Sequence, residues 1–430
     1  MPAACLPVCS KTITIVLRYE KEQIMREMLT LEAFEEASEI VKKVTANTKL
    51  IPSGYFSAQS GNKVFLKPEN MQVTGAYKIR GAYYKISTMT EEDRRKGLIT
   101  ASAGNHAQGV AYAASQYGCK AIIVMPTTTP LIKVNRTRGY GAEVILKGDV
   151  YDESCEYALQ LAKEKGYTFV HPFDDPTVAT GQGTIMMEIF QDLPLVEYVL
   201  VPVGGGGLAT GVSTLAKHLN PGIKVIAVEP AGAACLSASL DAGKPVTLDA
   251  VSTIADGTAV KTPGEKIFPY LQQNIDEVIT VSDDELIVAF LDMVENHKMI
   301  VENSGLLTVA ALKHLKVKDK RVACVLSGGN MDVITMASVV QHGLIQRDRI
   351  FTFSVMLPDK PGELVRVASI IAENQGNVIR LDHNQFVSTD RNAAVKLTIT
   401  LEAFGTEHKQ KILDAIRNAG YTMALEEAVL

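Results

Sequence analysis

The sequence predicts an α/β protein with a doubly wound parallel core and a smaller βαββαβ unit at its C-terminal end, on three observations. Short apolar runs rich in β-branched residues alternate with helix-like stretches up to about residue 345, the pattern of parallel strands buried on both faces. Four consecutive glycines, Gly204 to Gly207, separate one such run from a helix-like stretch. Beyond the charged Gln346-Arg347-Asp348-Arg349 the spacing changes to that of a compact ferredoxin-like domain.

Taken in chain order, residues 1 to 27 read as an extension with no assigned function, Met25 and Met28 being alternative starts. Its apolar stretch from 12 to 17 is too short for a signal-peptide core, and its basic residues follow on the wrong side. Strands are expected at Lys120 to Pro126, Ala142 to Leu146, Tyr167 to His171, Tyr198 to Val203, Ile223 to Val228 and Val322 to Leu326. Thr90 with Asp93, and Ser282 with Glu285, have the three-residue spacing of a capping box and mark helix starts. Ile79 to Met89 reads as a further helix. A boundary near 345 to 350 ends a catalytic-sized domain over 28–345 and opens a unit over 350–430. In that unit Phe351 to Met356, Asn377 to Phe386, Ala393 to Leu401 and Tyr421 to Leu425 read as strands, with helices over Pro361 to Asn374 and His408 to Ala419.

Composition excludes several classes. Hydrophobic content of 47% with 21% charged residues is that of a globular protein, and no apolar stretch approaches the roughly eighteen residues of a membrane span. A formal charge of −5 without a Lys/Arg block offers nucleic acid no footing. Six cysteines, Cys5, Cys9, Cys119, Cys155, Cys235 and Cys324, form no C-x-x-C pair, which argues for inert thiols in a cytoplasmic setting and against a zinc module.

Chemistry enters with the glycines. Without Cβ atoms, Gly204 to Gly207 let several N–H groups approach one anion, and a following helix adds its dipole. A P-loop would need Lys and Ser or Thr next, whereas Leu208 and Ala209 follow. A dinucleotide fold would need spaced glycines and an acid some twenty residues on; Glu229 stands near that distance, so spacing leaves a nicotinamide oxidoreductase open. A second segment, KPENMQVTGAYKIRGA at 67–82, puts Lys78 where a turn gives way to a helix. Alone, such a lysine reads as a solvated charge. SAGNHAQG at 102–109 and LSGGN at 326–330 complete a set of four motifs.

In this order the four motifs resemble those of the fold-type II pyridoxal-phosphate enzymes of the threonine dehydratase (threonine ammonia-lyase) group, over about residues 30 to 345. The resemblance implies a two-lobed core with a smaller lobe at about 80–175. DKPGEL at 359–364 and Gly376-Asn377 make the C-terminal unit similar to an ACT regulatory domain. By this likeness Lys78 carries pyridoxal 5′-phosphate, Gly204, Gly205, Gly206, Gly207 and Leu208 hold its phosphate, Asn105 bonds its phenolic oxygen, and Ser327 faces its pyridine nitrogen. Ser102, Ala103, Gly104, Asn105 and His106 would bind the carboxylate of threonine or serine. The resemblance implies β-elimination to 2-oxobutanoate or pyruvate and ammonia, a part in amino-acid metabolism such as isoleucine biosynthesis, and a homo-oligomer, dimer or tetramer.

Two physical consequences follow from that likeness. A serine hydroxyl, with its very high pKa, cannot hold a proton on pyridine, so the ring stays neutral, a weaker electron sink that favours elimination over transamination. Lys78, once released, acts as base at Cα, and the cofactor phosphate is the expected acid for the departing hydroxyl. Serine racemases of this scaffold carry a serine at the position of Ala103, and a methyl group carries no proton, so racemase is the second reading. Related enzymes bind a metal near the position of Glu229 with a carbonyl matching Ala233 and an aspartate where this chain has Cys235; without that hard ligand a monovalent cation or no metal is expected. His171 in HPFDDP reads as a loop-fixing residue. Pro361, Gly362 and Asn377 sit where similar domains hold an amino-acid or nucleotide effector.

Overall fold

A computed structural model describes residues 28–385 and 395–427. The extension expected at 1 to 27, with Cys5 and Cys9, and the strand ends Phe386, Ala393 and Ala394 lie outside the described residues. Packing divides the chain into two units, up to Met331 and from Asp332.

In the first unit, β1 (Ile51–Ser53), β2 (Lys63–Lys67), β7 (Tyr198–Pro202), β8 (Lys224–Pro230), β9 (Glu277–Val281) and β10 (Arg321–Val325) form one sheet in the order β1-β2-β10-β7-β8-β9. All neighbours are parallel except β1 and β2. A smaller, wholly parallel sheet holds β3 (Leu98–Ala101), β4 (Ala121–Met125), β5 (Glu143–Leu146) and β6 (Thr168–Phe169) in the order β5-β4-β3-β6. Each sheet has its own apolar core: Val199, Val201, Val225, Ala227 and Val325 in the larger lobe, and Leu98, Ile123, Met125 and Val110 in the smaller. The expected strands from Lys120 onward appear within a residue or two, while β1, β2, β3 and β9 were not read from the sequence.

Ser282 forms a full capping box with Glu285. Thr90 accepts from Asp93 N–H at 3.1 Å, and its hydroxyl donates to the Asp93 carboxylate instead of the reciprocal backbone bond. Helix Pro176–Asp192 packs on helix Lys78–Ser87 on one side and on helix Gly207–Leu219 on the other. Gly183 and Gly211 meet at that second crossing, where a Cβ on Gly183 would come to 2.7 Å from the Gly211 carbonyl oxygen. A buried charge cluster braces the first crossing. Arg80 Nε and Nη2 donate to Glu69 at 2.8 Å each, Nη1 and Nη2 donate to Glu188 at 2.7 and 2.9 Å, and Nη1 also donates to Thr184 at 3.2 Å. Lys67, equally buried, donates to the Thr48 carbonyl and to Glu188.

The second unit has the expected βαββαβ order: β11 (Ile350–Leu357), helix Glu363–Glu373, β12 (Asn377–Asn384), β13 (Val395–Glu402), helix Thr406–Asn418 and β14 (Met423–Glu426). Its antiparallel sheet runs β12-β13-β11-β14 over a core of Phe353, Val367, Leu397, Ile399 and Ile412. Helix Val333–Gln346, which the charged run at 346–349 assigns to the preceding domain, instead packs on β11 and belongs to this unit.

Candidate active site

Lys78 is placed by a short antiparallel contact between distant segments. Ala76 bridges Gly328, Tyr77 N–H donates to the Ser327 carbonyl at 3.1 Å, and Gly329 N–H donates to the Gly75 carbonyl at 2.8 Å. This ties the end of β10 to the residues just before the lysine and brings Ser327, 3% exposed, to the same place. Helix Lys78–Ser87 has no side-chain cap of its own; Gln182 Oε1 accepts Gly81 N–H at 3.0 Å and takes one of the first-turn donors. Lys78 Nζ donates to the Pro172 carbonyl at 2.8 Å. Burial pulls its amine down to about 8, against the opposing charge of Glu302.

The glycine cup follows β7. Val203 N–H donates to the Val228 carbonyl, and the turn at Gly204 to Gly206 delivers the chain into helix Gly207–Leu219, whose first internal bond is Thr210 N–H to the Gly206 carbonyl. The N–H groups of Gly207, Leu208 and Ala209 therefore have no intrahelical acceptor. Gly206 takes φ +97°, and a Cβ there would meet Leu271 Cδ1 at 2.6 Å. A Cβ on Gly207 would stand 2.8 Å from the Phe173 carbonyl oxygen and 2.9 Å from its Cα, and one on Gly204 would stand 2.8 Å from Thr258 Cα. Backbone packed this closely from behind leaves the N–H face free for an anion. A desolvated amine and an anion cup fit a phosphorylated aldehyde.

Ser102 to His106 follow β3 and lead into helix Asn105–Gln116. Gly104 N–H donates to Ser102 Oγ at 3.2 Å, and the helix has no side-chain cap, so its first N–H groups are available to a carboxylate. His106 is 2% exposed; its Nε2 lies 3.0 Å from the Val170 carbonyl and must donate to it. Burial, with the Lys78 charge, pulls this imidazole down to about 3, so Nδ1 is an acceptor, and it has no partner among the described residues. An acceptor cannot bond a carboxylate, which leaves the His106 backbone as its contribution to carboxylate binding.

Asn105 Nδ2 donates to Glu302 Oε1 at 2.7 Å, and its Oδ1 accepts from Asn330 Nδ2 at 2.9 Å, which also donates to the Thr74 carbonyl. One amide hydrogen of Asn105 remains for a phenolic oxygen. Burial pushes the Glu302 carboxyl up from its ordinary range. Glu302 has no sequence signal of its own, and Asn330 enters only as the last residue of the LSGGN motif; Glu302 stands at the N-cap position of helix Asn303–Ala310 without capping it through its side chain.

Other expected residues lie elsewhere. Glu229, at the end of β8, accepts from Leu236 N–H at 2.7 Å and Ser237 N–H at 2.9 Å, and burial pushes it up to about 7. Cys235 Sγ contacts the Gly204 carbonyl at 3.7 Å, and Ala233 ends a short turn between them. Among the described residues no three His, Cys, Asp or Glu side chains gather to hold a metal. Cys119, Cys155, Cys235 and Cys324 are free thiols. In the second unit, Gly362 precedes helix Glu363–Glu373 with φ +97°, Pro361 is exposed, and Asn377 Nδ2 donates to Glu402 at 3.2 Å. No helix among the described residues is long and apolar enough to cross a membrane.

Residues 41–328 match the family described as pyridoxal-phosphate dependent enzyme. The chain is 42% identical to an L-threonine ammonia-lyase of Thermotoga maritima over 399 residues, 93% of this chain and 100% of that protein. Among solved structures, the processed form of threonine deaminase isoform 2 from Solanum lycopersicum is similar with a TM-score of 0.69 and 38% identity, covering 73% of this chain and 94% of that one. Maize serine racemase is similar with a TM-score of 0.69 and 33% identity, covering 74% and 98%.

Proposed function

Because the chain belongs to the pyridoxal-phosphate-dependent enzyme family, we propose that it is an L-threonine ammonia-lyase, converting L-threonine to 2-oxobutanoate and ammonia and L-serine to pyruvate and ammonia. The observation that carries this reading is a buried amine held below its ordinary basicity beside an anion cup of tandem glycines. Bound pyridoxal phosphate supplies the electron sink that acidifies Cα–H of the amino acid joined to it. Lys78 would hold the cofactor through its amine and, when freed from it, would accept the Cα proton of the substrate. Gly204 to Leu208 take the phosphate. The N–H groups from Asn105 onward would orient the substrate carboxylate, the Asn105 amide is held in place by Glu302 and Asn330, and the Ser327 hydroxyl would leave a ring nitrogen facing it unprotonated. The phosphate held by Gly204 to Leu208 would supply the proton with which the Cβ hydroxyl leaves as water when the Cα proton is lost to Lys78. The released enamine takes a proton at Cβ and hydrolyses to the oxo acid and ammonia.

Racemisation is the second reading, favoured by the likeness to a serine racemase. Ala103 weighs against it, since returning a proton from the opposite side needs a side chain that can carry one. The residues around Pro361, Gly362 and Asn377 bind an amino-acid or nucleotide effector between two copies of the chain in a homo-oligomer. The test is oxo-acid release from threonine and serine by wild type and Lys78→Ala. Loss of both the activity and the borohydride-sensitive visible absorbance in the variant is expected; a variant that keeps either one overturns the assignment of Lys78.

A further inference from the structure

His171 has no part in the chemistry above, yet its ring closes the turn that touches both halves of the site. The turn leaves β6 as His171-Pro172-Phe173-Asp174-Asp175. His171 Nδ1 accepts from Asp174 N–H at 2.8 Å and from Phe173 N–H at 3.3 Å, so the ring is neutral and carries its hydrogen on Nε2. The ring also meets Phe173 edge to face, centroids 4.8 Å apart. From this turn the Pro172 carbonyl accepts the Lys78 amine at 2.8 Å. The next residue, Phe173, lays its backbone against Gly207 and its ring under Gly205. Asp174 Oδ1 accepts Lys266 N–H at 2.8 Å, fixing the segment whose Gly264 N–H donates to the Gly205 carbonyl. Asp175 caps helix Pro176–Asp192 through Thr177 N–H at 2.8 Å. Adjacent residues of one turn thus hold the amine and back the cup, so the shape of the turn sets the separation between them.

We propose that His171 is a positioning residue, whose Nδ1 acceptor fixes the turn and thereby the distance from the Lys78 amine to the glycine cup. The inference rests on the reading that Lys78 and the cup hold pyridoxal phosphate. A packing role and an acceptor role make opposite demands on a replacement. Asn at 171 keeps an acceptor that can reach the N–H groups two and three residues on, as Asx turns do, but loses the aromatic ring. Phe keeps a ring and has no acceptor.

The experiment uses the full chain stripped of cofactor and measures the dissociation constants for pyridoxal phosphate and for pyridoxal, whose ratio reports the cup and not the aldehyde. Wild type is expected to prefer the phosphate ester and to show borohydride-reducible absorbance that Lys78→Ala lacks; without both, the reading beneath the inference fails. His171→Phe is expected to lose about tenfold in that ratio, the worth of roughly one hydrogen bond, and His171→Asn to stay within about threefold of wild type. Should His171→Phe not fold, as judged by circular dichroism, His171→Ala carries the same expectation. Equal ratios in all proteins, or a folded His171→Asn that falls as far as the variant without an acceptor, overturn the positioning role while leaving the cofactor assignment standing.

Discussion

Neutralising Glu302 tests the electrostatics of the site most directly. The Lys78 amine is held at about 8 from an ordinary 10.5, a difference worth about 3 kcal/mol at 1.36 kcal/mol per unit. At pH 7 this leaves about one amine in ten neutral, against fewer than about one in a thousand for an ordinary lysine. Burial is the larger cause, and the Glu302 charge opposes it, so Glu302→Gln should lower the amine further. The assay is borohydride-trapped reaction of the cofactor-free protein with pyridoxal as a function of pH, with Lys78→Ala as blank. Wild type is expected to give a midpoint near 8, and Glu302→Gln a lower one. Linkage supplies an independent check. An amine depressed by folding binds its proton more weakly in the native than in the unfolded state, so between about 8 and 10.5 the unfolded state holds more protons. Stability of the cofactor-free protein should therefore gain from this group as pH rises through that window, a gain missing in Lys78→Met. A wild-type midpoint at 10 or above, or an upward shift in Glu302→Gln, refutes the reasoning.

Gly207→Ala should weaken pyridoxal-phosphate binding by about tenfold to a hundredfold, one charge-assisted hydrogen bond's worth, because its Cβ would meet the Phe173 backbone at 2.8 Å; fluorescence titration measures it. Arg80→Met should destabilise the first unit by about 3–5 kcal/mol in urea unfolding by leaving the buried Glu69 carboxylate and the partly exposed Glu188 carboxylate without their guanidinium. Ala103→Ser should gain measurable D-serine formation from L-serine by chiral chromatography. Removing residues 332–430 should change oligomeric state or the response of activity to isoleucine or valine, read by light scattering and oxo-acid assay.

What the sequence made legible and what it hid separate along physical lines. The tandem glycines are legible because the local backbone demands of a turn and a helix start are written in neighbouring residues, whereas Lys78 and Ser327 are picked out only by the resemblance that four motifs carry in order. Strands β1, β2 and β9 were missed because their signals are weak: a three-residue run with Pro52 in its middle, a run bracketed by Lys63 and Lys67, and an edge strand exposing Glu277 and Thr280. Nothing in the sequence marks Lys67, Glu69, Arg80 and Glu188 as a cluster, since only folding reveals that they pair with one another. The grip of Glu302 and Asn330 on Asn105 joins residues about two hundred positions apart and leaves no local trace. Helix Val333–Gln346 precedes the charged run at 346–349 yet packs on β11, because periodicity gives a helix its length but not the unit on which it packs.

The bridge between Ala76 and Gly328 has a consequence for synthesis on the ribosome. Strand β10 lies between β2 and β7 in the larger sheet, so a nascent chain that has not yet delivered residues 321–325 has that sheet parted down its middle. Until those residues emerge, the reactive amine lacks the partner segment that holds it in register. On the proposed function, a site for the vitamin-derived aldehyde is thus complete only in a chain that carries residues up to about 330.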